Sequence, residues 1–578
     1  MTAISSDSLL LREPKRDETS AGALSLFPEY EPHEKNGVVY TKSWVAELIL
    51  DLAGYRADRD LAPLRAVEPA AGDGAFLLPM IKRLVASCRK RGHRLAECGH
   101  AIIAYELDEF SAKRARGAII TLLRGANVSE QDAILLANRW VRTGDYLLEA
   151  DTLLPVDFVI GNPPYVRLEE INPAVTTLYR EKYQTMVGRA DLYVAFFEAA
   201  LRQLKQNGIC AFICADRWML NQYGAELRRL VTASFSVEAV VEMHEADAFE
   251  LEVSSYPAIT VIRRAKQGAA VVASTKSKEL PEKVADLACQ LTNIRLHPHA
   301  GLQTIDGVKA ARIEDWFSGT APWPCVSPER LALLKRLEAE FAPLESVETK
   351  TVVGIGVATG CDEIYITKIN SMVEPSRLLP LAMACDAKDG RFTWSGHYLV
   401  NPWEEKGLVS LCDYPRLAAY FEKHRQRLKN RNVGKRNPDR WHRTIDRVNH
   451  DLLCKDKLYI PDIKNRIYPV LDKGQTYPHH NLYFVQSDIW DMEVLGGLLL
   501  SRVAQFFVEC YGVRMRGGYL RFQAQYLRRI RVPNPASISE GQADDLRNAF
   551  RGYNVDKATC VALKLYGLDD LAGEIFGH

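Results

Sequence analysis

Asn162-Pro163-Pro164-Tyr165 follows directly on the apolar run Val156-Asp157-Phe158-Val159-Ile160-Gly161. An amide, two rigid prolines and an aromatic ring just past a buried strand can clamp a planar NH2 group. The exocyclic nitrogen of adenine is a poor nucleophile because its lone pair is delocalised into the ring. Acceptors redirect that lone pair: if the Asn162 side-chain oxygen and the Pro163 carbonyl each take one N–H, the nitrogen is biased toward a tetrahedral shape. Pro163 and Pro164 fix φ and remove competing donors. Tyr165 offers a stacking face, and a base–aromatic contact contributes roughly 1–3 kcal/mol. The pattern predicts methyl transfer to an amino nitrogen; its plain alternative is a Pro-Pro turn that ends a strand, with Asn as a turn former.

The elements that must position this clamp lie upstream. Leu64-Arg65-Ala66-Val67 reads as a buried strand running into Glu68-Pro69-Ala70-Ala71-Gly72-Asp73-Gly74-Ala75-Phe76, after which a helical pattern continues through Leu77, Met80, Ile81 and Leu84. Small residues at Ala70, Gly72 and Gly74 let the backbone turn sharply and approach a ligand. The turn lacks Gly-Lys-Ser/Thr and carries acids, so it is no phosphate loop. It suits a ligand with cationic groups, as S-adenosylmethionine has in its ammonium and sulfonium. The next strand, Ala101 to Tyr105, ends in Glu106, placed for a ribose diol. Gly144-Asp145-Tyr146 follows a helical stretch; Asp145 can accept from an adenine amine while Tyr146 covers the ring.

In this order, the motifs between about residues 37 and 264 resemble the catalytic domain of the adenine-N6 DNA methyltransferases of the gamma order, the Taq I type. Gly37-Val38-Val39-Tyr40-Thr41 is similar to the family's leading motif, which implies that Thr41 contacts the methionine part of the cofactor. Glu68 to Gly74 resembles the cofactor turn, Glu106 the ribose acid, Asp145 and Tyr146 the adenine-binding pair, and Asn162 to Tyr165 the catalytic clamp. Ala190 to Glu198 resembles the helix after the clamp and Gly208 to Ile213 the strand after that. Asp73 between the glycines departs from the commoner form. The family also implies an aromatic on the far face of an extruded base; Phe249 stands at the corresponding place, with Tyr256 as rival. Flipping a base costs a few kcal/mol, which two aromatic contacts can largely offset.

The resemblance implies an α/β, doubly wound Rossmann-like methyltransferase sheet with a C-terminal mixed α+β target-recognition domain, and S-adenosylmethionine as cofactor with no metal. We expect a mobile arm over 1–36, the methyltransferase domain over 37–265, a connector over 266–345 and the recognition domain over 346–578. From Val352 onward, short strands are expected to dominate. Duplex DNA is the expected partner, with a separate cognate restriction endonuclease or defence proteins beside it. Pro461-Asp462-Ile463-Lys464 is no nuclease constellation. Enzymes that methylate a protein glutamine, or guanine in ribosomal RNA, share the clamp but lack a long C-terminal region; cytosine-N4 enzymes usually carry Ser where Asn162 stands. A DNA-specificity module without catalysis would need neither clamp nor cofactor turn.

Composition neither proves nor excludes this. The 578-residue chain carries 74 Lys and Arg against 73 Asp and Glu, so net charge gives DNA binding no support. Local charge does. Lys423, Arg425, Arg427, Lys435, Arg436, Arg440 and Arg443 surround the single acid Asp439, and Arg514, Arg516 and Arg521 interleave with Gly517, Gly518, Tyr519 and Phe522. Both stretches suit phosphate contacts. The twelve cysteines are scattered without metal-ligand spacing and read as buried thiols of a reducing compartment. Ser5 to Ser20 is too charged for a signal peptide, and no apolar run approaches membrane-spanning length, so we expect a cytoplasmic, nucleoid-associated protein with no membrane contact.

Overall fold

The computed structural model describes residues 40–250, 256–275, 284–388, 390–512 and 519–569. The expected arm and residues 37–39 of the leading motif lie outside them, as do Arg514 and Arg516. The first half is a doubly wound α/β sheet of ten strands: β1 (Ala66–Glu68), β2 (Ile102–Glu106), β3 (Val141–Thr143), β4 (Val156–Gly161), β5 (Leu204–Ala215), β6 (Ser236–Glu242), β7 (Pro257–Arg263), β8 (Ala270–Thr275), β9 (Gln303–Ile305) and β10 (Val308–Ile313). Their order is β3-β2-β1-β4-β5-β7-β6-β8-β10-β9. The first five in this order pair in parallel, and β7 runs antiparallel between β5 and β6. The sheet continues past residue 265, because β8, β9 and β10 extend it inside the span read as connector.

Strands buried on both faces must be apolar on both, and β5 shows how. Cys210, Phe212 and Cys214 enter one core while Ile209, Ala211 and Ile213 enter the other. The first core is continuous with the C-terminal region: Trp218 and Phe197 share it with Leu495, Phe507 and Leu527. The second holds the helices Ser43–Leu52 and Leu77–Arg91, whose Leu48, Ile49, Leu77 and Ile81 are fully enclosed.

In the C-terminal half, one antiparallel sheet orders Thr351–Ile355, Leu482–Ser487, Asp456–Pro461 and Val470–Lys473; a second, mixed sheet orders Ile366–Thr367, Tyr398–Val400, Leu378–Ala382 and Tyr477–Pro478. The expectation that short strands dominate to the end is only half met. Helices Met492–Leu500, Arg502–Tyr511, Glu540–Arg551 and Val555–Leu565 pack the first core, and the near-continuous apolar sequence of Met492–Leu500 reflects burial rather than strand pairing. Among the described residues, no single helix is long and apolar enough to cross a membrane. The reading of the cysteines as buried thiols also needs correction: Cys289, Cys385, Cys412, Cys454 and Cys560 are exposed.

Candidate functional site

Chain order reverses between β1 and β4, so the loops leaving their carboxyl ends open a crevice at that edge of the sheet. Gly161 presses on the turn after β1; a Cβ there would lie 3.3 Å from Pro69 Cδ. The turn itself needs glycine at two positions, since Gly72 and Gly74 take φ of 53° and 92°. Open space surrounds Gly72, whereas a Cβ on Gly74 would meet the Leu78 side chain at 3.3 Å. The loop is pinned from β2: Ala71 N–H donates to the Tyr105 carbonyl at 2.8 Å, and Gly72 N–H to Glu106 Oε2 at 2.8 Å. Asp108 N–H occupies Glu106 Oε1 at 3.0 Å. Ala70 is half-buried beside them.

Three acids converge on this edge. Glu68 is 1% exposed, and its buried Oε2 has no hydrogen-bond partner among the described residues. Burial, then the charges of Glu106 and Asp73, push its carboxyl well above the usual range. Burial likewise raises Glu106 against the backbone donors that hold it down. Asp73 is raised chiefly by burial, with Glu250 adding to the push. An enclosed acid without a donor, flanked by two more, is stabilised by a cation. The set therefore fits a ligand that brings positive charge and hydroxyl donors, as S-adenosylmethionine does. One strand further, Asp145 Oδ1 caps Leu147 N–H at 2.9 Å while Oδ2 accepts from Tyr179 Oη at 2.6 Å; burial raises this carboxyl despite both donors.

Asn162 emerges from β4 on the same edge, and its Nδ2 donates to Thr41 Oγ1 at 3.1 Å. That bond joins residues 121 positions apart and turns the amide so that Oδ1 is its acceptor. Pro163 is buried, Pro164 half-buried, and Tyr165 lies against both cores. Phe249 meets Tyr165 edge to face, 6.2 Å between ring centres at 80°. Tyr256 is drawn elsewhere, its ring 5.0 Å from His244. His244 escaped the sequence reading. Its Nε2 lies 2.8 Å from Asp216 Oδ2 and its Nδ1 2.9 Å from Glu242 Oε1. Burial alone would lower its pKa, but the two carboxylates outweigh burial and raise it to about 10.

The structure places Tyr146, expected to cover a ligand ring, in the core. Its ring is 2% exposed, stacked on Phe196 at 5.6 Å and set edge-on to Tyr105, and its hydroxyl donates to Gln203 Oε1 at 3.0 Å. A side chain enclosed on these sides packs the core.

The basic run divides in the same way. Arg443 lies 5.3 Å from the Trp403 ring centre and donates to the Thr444 carbonyl; Arg425 faces Trp441 and pairs with Glu422 at 2.8 Å. Arg427 pairs with Glu363, and Arg521 with Asp462 at 2.5 Å. Asp439 is thus not the only acid near these cations; folding brings others. Lys423, Lys435, Arg436 and Arg440 remain exposed with no ion pair among the described residues.

Comparisons with known proteins agree with this fold. A family profile described as Eco57I restriction-modification methylase matches residues 154–249, which include the clamp and Phe249. The type II methyltransferase M.XhoI of Xanthomonas vasicola is 41% identical over 559 residues, covering 94% of this chain and 99% of the relative. M.PaeR7I of Pseudomonas aeruginosa is 42% identical over 540 residues, 93% of this chain and 92% of the relative. Among solved structures, the type IIL restriction-modification enzyme MmeI in complex with DNA superposes with a TM-score of 0.53 at 12% identity, over 91% of this chain and 74% of that one, which is a likeness of fold. Near-full-length identity of this order places the chain in a family: it belongs to the type II DNA methyltransferases of restriction-modification systems, whose methyl donor is S-adenosylmethionine.

Proposed function

We propose that this methyltransferase acts on N6 of an adenine swung out of duplex DNA. The observation that carries the reading is the Asn162–Thr41 bond. It fixes the amide at the end of β4 with its oxygen as acceptor, beside a crevice lined by the acids at the ends of β1 and β2. Thr41, Glu68, Ala70, Gly72, Gly74, Glu106, Asp145 and Asn162 would hold the cofactor, with the backbone rather than the ring of Tyr146. When bound, S-adenosylmethionine supplies a sulfonium-activated methyl group.

The chain's own residues supply position. Asn162 Oδ1 and the Pro163 carbonyl accept the two N–H groups of the base and turn its lone pair out of the ring plane. Tyr165 and Phe249 cover its faces, and because they now meet edge to face, the base enters as Phe249 turns aside. Proton loss can follow methyl transfer, so no general base is required; holding the amine in line with its electrophile carries the rate. Lys423, Lys435, Arg436 and Arg440 would meet phosphates and leave the reading of base edges to the recognition region.

Substitution of Asn162 tests the reading. In Asn162→Ala, methyl transfer to DNA should fall by about 10²–10³, as when one preorganised polar group is lost from a transition-state site. Cofactor affinity should change by less than about tenfold, the loss of one hydrogen bond. Sequencing that detects methylated bases, applied to DNA from cells expressing the wild type, should show N6-methyladenine at a short fixed site. N4-methylcytosine there, or label from the cofactor entering only protein or RNA, would reject the assignment.

A further inference from the structure

We infer that Lys42 and Asp247 are positioning residues that tie the base-stacking loop to the cofactor-binding segment, so that a seated cofactor prepares the pocket for the base. The inference rests on the function proposed above. Thr41 and Phe249 form an antiparallel bridge although 208 positions separate them. Lys42 N–H donates to the Ala248 carbonyl at 3.0 Å, and Glu250 N–H to the Tyr40 carbonyl at 3.0 Å. Among the described residues, these are the backbone hydrogen bonds by which residues 246–250 meet another segment. Lys42 Nζ closes the joint on Asp247 Oδ2 at 2.5 Å.

One short segment therefore faces three ways. Its Thr41 hydroxyl holds Asn162, its backbone carries the Phe249 loop, and its next residue opens the helix Ser43–Leu52, which is anchored in the core. Glu250, at the end of the same loop, adds a like charge that Asp73 feels in the turn after β1. Ligand bound against Thr41 bears on the attachment of the loop that carries Phe249. The Lys42–Asp247 pair is half-exposed, 27% and 58%, so it adds little to the stability of the fold. Its work is to keep the loop in register with the segment. Coupling of this kind is reciprocal: the factor by which cofactor favours base capture equals the factor by which DNA favours cofactor.

The full-length protein tests this with duplex DNA carrying 2-aminopurine at the target adenine, the site having been found by methylation sequencing. Fluorescence of the extruded base is titrated with and without S-adenosylhomocysteine, and S-adenosylhomocysteine affinity is measured with and without DNA. Wild type should show one common coupling factor above unity in both experiments. Lys42→Met and Asp247→Asn should each cut it by a factor within roughly 2 to 30, the span of mutational effects on coupling. The double variant should lose no more than either single one, and Lys42→Arg should restore most of it. Thermal stability should barely move, which separates positioning from damage to the fold. Unchanged coupling in both single variants, or additive losses in the double, overturns the inference. If wild type methylates adenine but S-adenosylhomocysteine leaves the fluorescence unchanged, the inference alone falls. If wild type methylates no adenine, the proposed function falls first.

Discussion

At Glu68, burial and two neighbouring carboxylates leave an enclosed acid with one oxygen unpartnered. In the free protein this group keeps its proton above the ordinary glutamate range, because an ionised carboxylate there lacks both water and a donor. A cationic ligand reverses that preference and expels the proton. Affinity for S-adenosylmethionine should therefore rise with pH from the ordinary glutamate value up to the raised one, by at most roughly tenfold per pH unit for one proton released. The free fold responds in the opposite sense: the unfolded chain ionises first, so stability declines as pH rises through the same window. Calorimetric titration in buffers of different ionisation enthalpy reads the proton directly. Glu68→Gln should flatten the dependence, and a wild-type affinity indifferent to pH would show that Glu68 does not meet the cation.

At the scale of elements, what could be read from the chain was local. Glu68, Glu106 and Asn162 each follow an apolar run, and a run that ends at a small or polar residue marks a strand end, while Asp145 follows a helical stretch, so their common sheet edge followed from their order. The insertion of β7 between β5 and β6 was not legible, since strand order depends on pairing between segments with similar apolar patterns. Nor were pairs whose partners lie far apart in sequence, such as His244 with Asp216 or Phe249 with Thr41. The recognition region holds a sharper case in Lys457, fully buried in Asp456–Pro461. It meets Asp472 of Val470–Lys473 at 2.8 Å, and both side chains are at most 1% exposed. Asp472 also accepts from the backbone N–H groups of Gln475 and Thr476. Lys457→Met leaves that carboxylate buried without its cation and should destabilise the protein by about 3–5 kcal/mol. Urea unfolding followed by fluorescence should show the midpoint fall; a loss within experimental error would mean that Asp472 is held by its backbone donors alone.

For the whole molecule the question is how a chain with 74 cationic and 73 anionic side chains engages a polyanion. Folding sorts the charges. Glu363, Glu422 and Asp462 pair with Arg427, Arg425 and Arg521, and Trp403 takes the face of Arg443, so these arginines already have partners within the fold. Lys423, Lys435, Arg436 and Arg440 are left exposed within one stretch of short helices, and sequence counting could not separate the two groups because Glu363, Asp462 and Trp403 come from other segments. If the exposed set meets phosphates, each contact releases counterions, and each contact removed should lower the magnitude of the slope of log affinity against log salt by about 0.9. Lys435→Gln with Arg436→Gln should then weaken binding to all duplexes alike and reduce the slope by up to about twice that amount. Arg443→Gln should behave differently: it gives up packing on Trp403, so thermal stability drops while the slope holds. Fluorescence anisotropy across a salt series, with melting curves on the same samples, distinguishes the two. A slope unmoved by the Lys435 and Arg436 pair, or moved by Arg443, would place the DNA track on another face of the recognition region.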